Sequence, residues 1–480
     1  MASTFHVEHF GCRAARADGE AVSECLRAAG LGDTSPPEAD VVVVNTCSVT
    51  AEADRAARAF IRRAHRLNPE ARIVVTGCYA QRAPQELASM DGVAAVVGNS
   101  YKALAPEIIL GLGLGGSRQT AAQPESAGPS LVSVESLISG GVRAPIWADD
   151  RFAHSFLEEA QIVPGAQTRP NLKIQEGCGN RCTFCVIPFT RGPSKSVPHE
   201  VVLRQVEGFV AAGGNELVLS GINLGRWGRD FSSSEASSLR TLSELVRAIF
   251  ERTALHRLRL SSIEPMDWDA ELIGLMAEFG NPTTGPARLA RHAHLPLQSG
   301  SDAVLRRMHR RYRPWHYVEK VDALVRACGP HLTLGADVMV GFPGETDAEF
   351  EETLALVRAL PFGYLHLFPF SPRPATMAWA LHADRPVAPE AVAERMAALR
   401  SLAAKKTETH RRSFAGRELE AITLHTPAGL GVLGRTAALT ENFLPVELAG
   451  RLEANRLMRV RVTGLTAEGA LEAVLGGNPA

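Results

Sequence analysis

Residues 171–192 read NLKIQEGCGNRCTFCVIPFTRG, and the spacing of Cys178, Cys182 and Cys185 inside this run decides how the chain is read. Iron–sulfur clusters with four irons are normally held by four thiolates. A compact CxxxCxxC motif with no fourth cysteine nearby leaves one iron with an open position, and an open iron can bind a small molecule. Zinc instead takes four ligands from paired CxxC or Cys/His spacings; no such pair follows, which disfavours a zinc site. Downstream, the β-like runs NELVLSGIN, HRLRLSSIE, HAHLPLQS, LTLGADVMVGF and YLHLFPFS alternate with helical patterns. That alternation is the signature of a full or partial β/α barrel.

Upstream lies a second, more scattered triad. Cys12, Cys47 and Cys78 each end a β-like run, TFHVEHFGC, ADVVVVNTC and ARIVVTGC, beside Gly11, Thr46 and Gly77. Helix-like segments such as AEADRAARAFIRRAHRLN lie between them, so the pattern predicts βαβ units and a parallel sheet. Ligands gather outside the carboxyl ends of strands in such sheets. Three cysteines at successive strand ends favour a second three-thiolate cluster over the alternative of ordinary buried thiols. Cys25 and Cys328 lie outside both triads in helix-like surroundings, where packing is the expected role.

The 480-residue length suggests about three domains. Hydrophobic content of 45% with 21% charged residues is ordinary for a globular chain, and a formal net charge of −1 restricts any nucleic-acid contact to local patches. The expected division is an N-terminal cluster domain over 1–110, a Gly/Ser/Ala/Pro-rich linker over 111–168, a barrel domain over 169–410 and a small antiparallel β-barrel over 411–480. No basic, apolar and small-residue order marks a signal peptide, and no apolar run is long enough to span a bilayer. The expectation is a cytoplasmic protein without membrane contact, where reduced thiols are available to metals.

Polar residues are expected at the carboxyl ends of the barrel strands: Glu216 near the GGNE turn, Ser262 and Glu264 after the third run, Gln298 after HLPL, and Asp337 in LGADVM. Thr346 and Glu349 in GFPGETDAEF form a T-x-x-E capping box, read as scaffold. Three basic groups stand out: Arg55, Arg58, Arg62 and Arg66; Arg306, Arg307, Arg310, Arg311 and Arg313; and Lys405, Lys406, Arg411 and Arg412. Charged helix faces are usually solvated surface, yet three such patches suit a polyanion.

NTCSVT, TGCYAQ, CxxxCxxC, PLQSGSD and GFPGETDAEF together give the whole chain a specific resemblance to the radical S-adenosylmethionine (SAM) methylthiotransferases. KIQEGC, RLRLSSIEP, SGINLGRWGRD and HLFPFSPRPATMA look most like the branch that modifies carbon 2 of N6-threonylcarbamoyladenosine beside the tRNA anticodon. Sister branches act on N6-isopentenyladenosine in tRNA or on an aspartate of a ribosomal protein. The resemblance implies two 4Fe-4S clusters, one on Cys178, Cys182 and Cys185 and one on Cys12, Cys47 and Cys78, together with a C-terminal TRAM domain. It also implies SAM contacts from Phe184, Glu216, Ser262, Glu264, Gln298 and Asp337, with the deoxyadenosyl radical rather than a catalytic side chain removing hydrogen. Implied partners are the tRNA anticodon loop, a flavodoxin or ferredoxin as electron donor, and a sulfur donor that the residues do not identify. One departure from the family pattern is Ala14 and Ala15 after GCR, where relatives carry an Asn. A non-catalytic iron–sulfur protein that binds tRNA is the reading from a different class.

Overall fold

A computed structural model describes residues 3–112, 144–156, 168–232, 239–280 and 287–476. The chain forms two compact units, the first made of 1–161 with 176–179 and 186–193, the second of the remainder. Most of the expected linker lies outside the described residues.

The first unit is built on a six-stranded sheet: β1 (Thr4–His9), β2 (Gly32–Asp33), β3 (Val41–Thr46), β4 (Arg72–Gly77), β5 (Val93–Gly98) and β6 (Ile146–Trp147), in the order β2-β1-β3-β4-β5-β6. Every pairing is parallel. Every residue of β3 is buried because both faces of the sheet are covered. Val42, Val44, Ile73, Val75 and Val96 pack on one side, and Val41, Val43, Val74, Ala95 and Val97 on the other. The helix Ala51–Leu67 turns Ala57, Phe60, Ile61 and Ala64 inward at helical spacing, and Thr50 caps it by accepting from the Ala53 amide.

In the second unit β7 (Asn171–Glu176), β8 (Lys195–Ser196), β9 (Glu216–Gly221) and β10 (Arg257–Leu260) form a sheet ordered β10-β9-β7-β8. A second sheet contains β11 (His292–His294), β12 (Thr333–Val340) and β13 (Phe362–Pro369). A parallel bridge links Leu258 of β10 to Leu289, three residues before β11, which sets the two sheets side by side as a partial β/α barrel. The GFPGET turn runs through Gly341 and Gly344 at φ 77° and 72° and ends in the expected reciprocal Thr346–Glu349 capping box.

The C-terminal strands β14 (Glu418–Thr423), β15 (Arg435–Thr440), β16 (Pro445–Ala449), β17 (Leu457–Leu465) and β18 (Leu471–Leu475) close into a barrel, β14-β15-β16-β18-β17. Alternate residues such as Leu419, Ala421, Val446, Leu448, Val460 and Val462 fill it. Its β15–β16 loop packs against the lower rim of the partial barrel. Glu441 pairs with Arg291, the Phe443 ring lies 4.4 Å from that of His292, and Arg259 donates to the Thr440 carbonyl at 3.2 Å.

Candidate functional site

The register of the first sheet brings the N-terminal cysteines together. His9 pairs with Asn45 and Thr46 with Gly77, so Cys12, Cys47 and Cys78 leave the aligned ends of three adjacent strands. Gly11 adopts φ 121°, and a Cβ there would stand 2.5 Å from Cys47 Cβ and 2.9 Å from its Sγ. Gly77, at φ 99°, would drive a Cβ into the Thr46 carbonyl. Only glycine lets these loops approach so closely. Cys47 and Cys78 are buried and Cys12 is exposed. Burial, then the neighbouring Cys78 and Cys12, push the Cys47 thiol up to about 12.

Cys78 is embedded in a polar cluster that sequence reading missed. Arg191, fully buried, donates from Nε to Cys78 Sγ at 3.2 Å and from Nη1 to Asp18 at 3.1 Å and Glu176 at 2.7 Å. Lys102 Nζ joins the same two carboxylates at 2.8 and 2.7 Å. Asn99 donates to Cys78 Sγ at 3.4 Å and to the Thr190 carbonyl at 2.8 Å. Burial opposes the charge on Arg191, yet Cys78, Glu176 and Asp18 hold its pKa well above the ordinary value. Its Nη2 is buried with no hydrogen-bond partner among the described residues. An orphaned donor beside three convergent thiols fits an acceptor such as the inorganic sulfide of a cluster.

Glu176 and Arg191 also bracket the CxxxCxxC run. The Cys178 amide donates to the Gly192 carbonyl at 3.1 Å, and Gly177, at φ 66°, has no room for a Cβ against the Pro193 carbonyl. Gly177→Ala is expected to destabilise the protein by about 2–4 kcal/mol, the sum of a left-handed penalty and overpacking against backbone. Denaturant unfolding of the variant checks this; an unchanged midpoint would contradict it.

Within the second unit the Cys185 amide donates to the Cys182 carbonyl at 3.1 Å, a tight turn that fixes the C-terminal half of the motif. Arg310 donates to Cys182 Sγ at 3.3 Å and clamps both oxygens of Glu264 at 2.8 and 2.6 Å. Phe184 meets Phe342 edge-on at 6.5 Å. Ser262 and Glu264 lie just beyond the carboxyl end of β10. Gln298, at φ 64°, donates its amide to the Asp337 carbonyl and accepts from the Met339 amide, while its buried Oε1 has no partner among the described residues.

Two expected positions are corrected. Glu216 is the first residue of β9, at the amino end, where Arg259 and Arg257 hold it at 3.0 and 3.3 Å. Burial alone would raise its pKa; Arg259, Arg169 and Arg257 instead pull it down to about 2. The Gly-Gly turn before it marks the entry to a strand, not its exit. Asp337 lies inside β12, not at its end, and its carboxylate meets His294 and His366.

The second basic group is largely paired with carboxylates. Arg310 is buried on Glu264, and Arg306, Arg307, Arg311 and Arg313 pair with Asp302, Glu349, Asp267 and Asp302 respectively. In the first group Arg58 turns to Tyr79 and Glu86, while Arg55, Arg62 and Arg66 stay exposed. In the third, Lys406 and Arg411 cap the carbonyls of Leu360 and Gly469, and Arg412 pairs with Glu408. No helix among the described residues is long and apolar enough to cross a membrane.

Residues 4–98 match the family model described as uncharacterized protein family UPF0004, and residues 172–357 match that of the radical SAM superfamily. A threonylcarbamoyladenosine tRNA methylthiotransferase MtaB from Aquifex aeolicus (strain VF5) is 34% identical over 95% of this chain and 99% of its own. Its counterpart from Bacillus subtilis (strain 168) is 36% identical over 78% of this chain and 74% of its own. A tRNA-2-methylthio-N(6)-dimethylallyladenosine synthase from Cereibacter sphaeroides is 32% identical over 95% of both. Among solved structures, the radical SAM methyltransferase TsrM from Kitasatospora setae, with cobalamin and a 4Fe-4S cluster bound, superposes with a TM-score of 0.56 over 80% of this chain and 78% of that one. At 17% identity that likeness concerns the fold alone.

Proposed function

The chain belongs to the radical SAM tRNA methylthiotransferases, enzymes that use SAM and an iron–sulfur cluster, and from that premise we propose that it methylthiolates carbon 2 of N6-threonylcarbamoyladenosine beside the anticodon. The observation that carries this reading is the match along nearly the full length of both chains to a threonylcarbamoyladenosine tRNA methylthiotransferase. Identity alone separates the branches weakly, because the dimethylallyladenosine relative stands at 32%. The lining of the partial barrel adds a physical argument. His292, His294, Tyr364, His366 and Asp337 line one face of β11-β12-β13, opposite the apolar side of Leu334, Ala336, Val338 and Val340. These groups bond to one another, and the polar face they make suits an oxygen-rich threonylcarbamoyl group better than a hydrocarbon.

In this reading Cys178, Cys182 and Cys185 hold the cluster that binds SAM, and Cys12, Cys47 and Cys78 hold a second. When bound, these groups supply the one-electron chemistry and the sulfur that side chains cannot provide. The protein's own residues hold and orient. Arg310, locked on Glu264, fixes the side of Cys182, and Arg191 with Asn99 fixes Cys78. Phe184, Ser262, Glu264 and Gln298 are the proposed SAM contacts, with Gln298 supported by its unpartnered Oε1. Arg55, Arg62 and Arg66, one exposed helix face beginning two turns after Cys47, are proposed to meet the tRNA backbone. A flavodoxin or ferredoxin is the proposed reductant.

Nucleoside mass spectrometry tests the substrate. Protein reconstituted anaerobically, with SAM, a reductant and tRNA lacking the methylthio group, is expected to add methylthio to threonylcarbamoyladenosine. Addition to isopentenyladenosine instead would overturn the branch, and no 5′-deoxyadenosine release would favour a non-catalytic tRNA-binding protein.

A further inference from the structure

We propose that His294, Asp337 and His366 form a binding site for a divalent transition-metal ion, separate from both cysteine triads. The three ligand atoms lie within 4.8 Å of one another. His294 Nε2 and His366 Nδ1 each stand 3.2 Å from Asp337 Oδ1. Two ligands on one metal, each at about 2.0–2.2 Å, are separated by about 2.9–3.5 Å at tetrahedral or octahedral angles. Charge-assisted hydrogen bonds from imidazolium to carboxylate are shorter, at about 2.7–2.9 Å. Both observed separations fall in the first range and at the long end of an ordinary N–H···O hydrogen bond, the contact that His366 makes with Asp337 while no ion is bound.

The support around the triad is also that of a ligand set. Asp337 and His366 are direct partners across β12 and β13, which fixes two ligands on rigid backbone. A Cβ at Gly335 would collide with the Tyr364 ring, so glycine there lets the tyrosine lie across the sheet. Its hydroxyl meets His294 Nδ1 at 3.0 Å and His292 Nε2 at 2.8 Å. Metal-bound histidines are oriented in this way, with the second ring nitrogen engaged so that the first faces the ion. His294 is nearly buried at 6% side-chain exposure, whereas His366 is open at 62%. Two histidines and one carboxylate, with His366 reaching solvent, match the ligand set of the facial arrangement used for iron(II), manganese(II) or zinc(II). The open positions suit water or the carboxylate and carbamoyl oxygens of a threonylcarbamoyl group. That role rests on the substrate proposed above; the binding of the ion does not.

The test uses cluster-loaded, chelator-treated full-length protein without tRNA, titrated with manganese(II) followed by electron paramagnetic resonance and, separately, with zinc(II) followed by elemental analysis. One saturable equivalent per chain is expected for at least one metal. His366→Ala, whose exposed side chain leaves the core intact, and Asp337→Asn should each weaken it at least tenfold. Tyr364→Phe should weaken it by about tenfold through loss of ligand orientation, and Asp322→Asn, at an exposed carboxylate in the same unit, should leave it unchanged. Failure of both metals to reach one equivalent, or wild-type loading of His366→Ala, overturns the site. Because no tRNA is present, that failure is distinct from any failure of the substrate assignment.

Discussion

The Cys182→Ala protein is expected to release no 5′-deoxyadenosine from SAM, whereas Cys12→Ala is expected to keep that release and lose methylthio transfer to tRNA. The two thiols differ in what surrounds them. Cys182 is held by Arg310, which is itself locked on Glu264, and it belongs to the triad proposed above to hold the cluster that meets SAM. With three thiolates for four irons there is no spare ligand, and losing one removes the group without which the reaction does not run. A drop of about 10³-fold or more in both activities follows. Cys12 belongs to the other triad and is exposed. It stands at the start of the helix Arg13–Ala28 without a side-chain capping bond, so alanine there costs the fold little. The expected split is therefore chemical and not a loss of folding. Chromatography of deoxyadenosine beside mass spectrometry of tRNA nucleosides checks it; methylthio transfer at wild-type rate by Cys12→Ala would remove the second cluster from the proposal.

The cysteine geometry was legible because it rests on local signals. Val-rich runs predict parallel strands, a cysteine directly after each run predicts a common edge, and the observed register supplies that edge. The GFPGET capping box and the closed terminal barrel were legible for the same reason, since turn chemistry and alternation are local. What escaped was pairing over distance. Arg191 finds Asp18 across 173 positions and Arg257 finds Glu420 across 163, and neither leaves a period or a motif behind. Arg310 looked like one member of a basic run because charge spacing cannot distinguish a solvated arginine from one buried on a carboxylate. Glu216 was misplaced for a related reason: a Gly-Gly turn precedes strands as readily as it follows them. The polar face of β11-β12-β13 was hidden as well, since His294 and His366 lie 72 positions apart and converge only through sheet pairing.

Arg191→Met is expected to have the largest effect of any substitution outside the cysteines, and to act on stability and on the proposed N-terminal cluster at once. The four groups Asp18, Glu176, Lys102 and Arg191 balance, two negative and two positive, and all are buried. Removing the arginine leaves an uncompensated carboxylate away from water, which costs about 3–5 kcal/mol. Lys102→Met removes one charge from the same network without touching Cys78, so it should match the loss of stability. The two variants part at the cluster. A cation beside a ligating sulfur stabilises an added electron, so loss of Arg191 should lower the iron and sulfide content after reconstitution and move the reduction potential of whatever cluster remains to more negative values. Lys102→Met should leave both nearly as in the parent. Arg191→Lys separates charge from geometry: an ammonium restores the charge balance but cannot reach Cys78, Asp18 and Glu176 with one planar fork. Its stability should recover most of the way while its potential and paramagnetic spectrum stay altered. Iron and sulfide analysis with spectroelectrochemistry decides the matter. If Arg191→Lys shows the parent's spectrum and potential, the contact at Cys78 is packing, and Arg191 serves the fold alone.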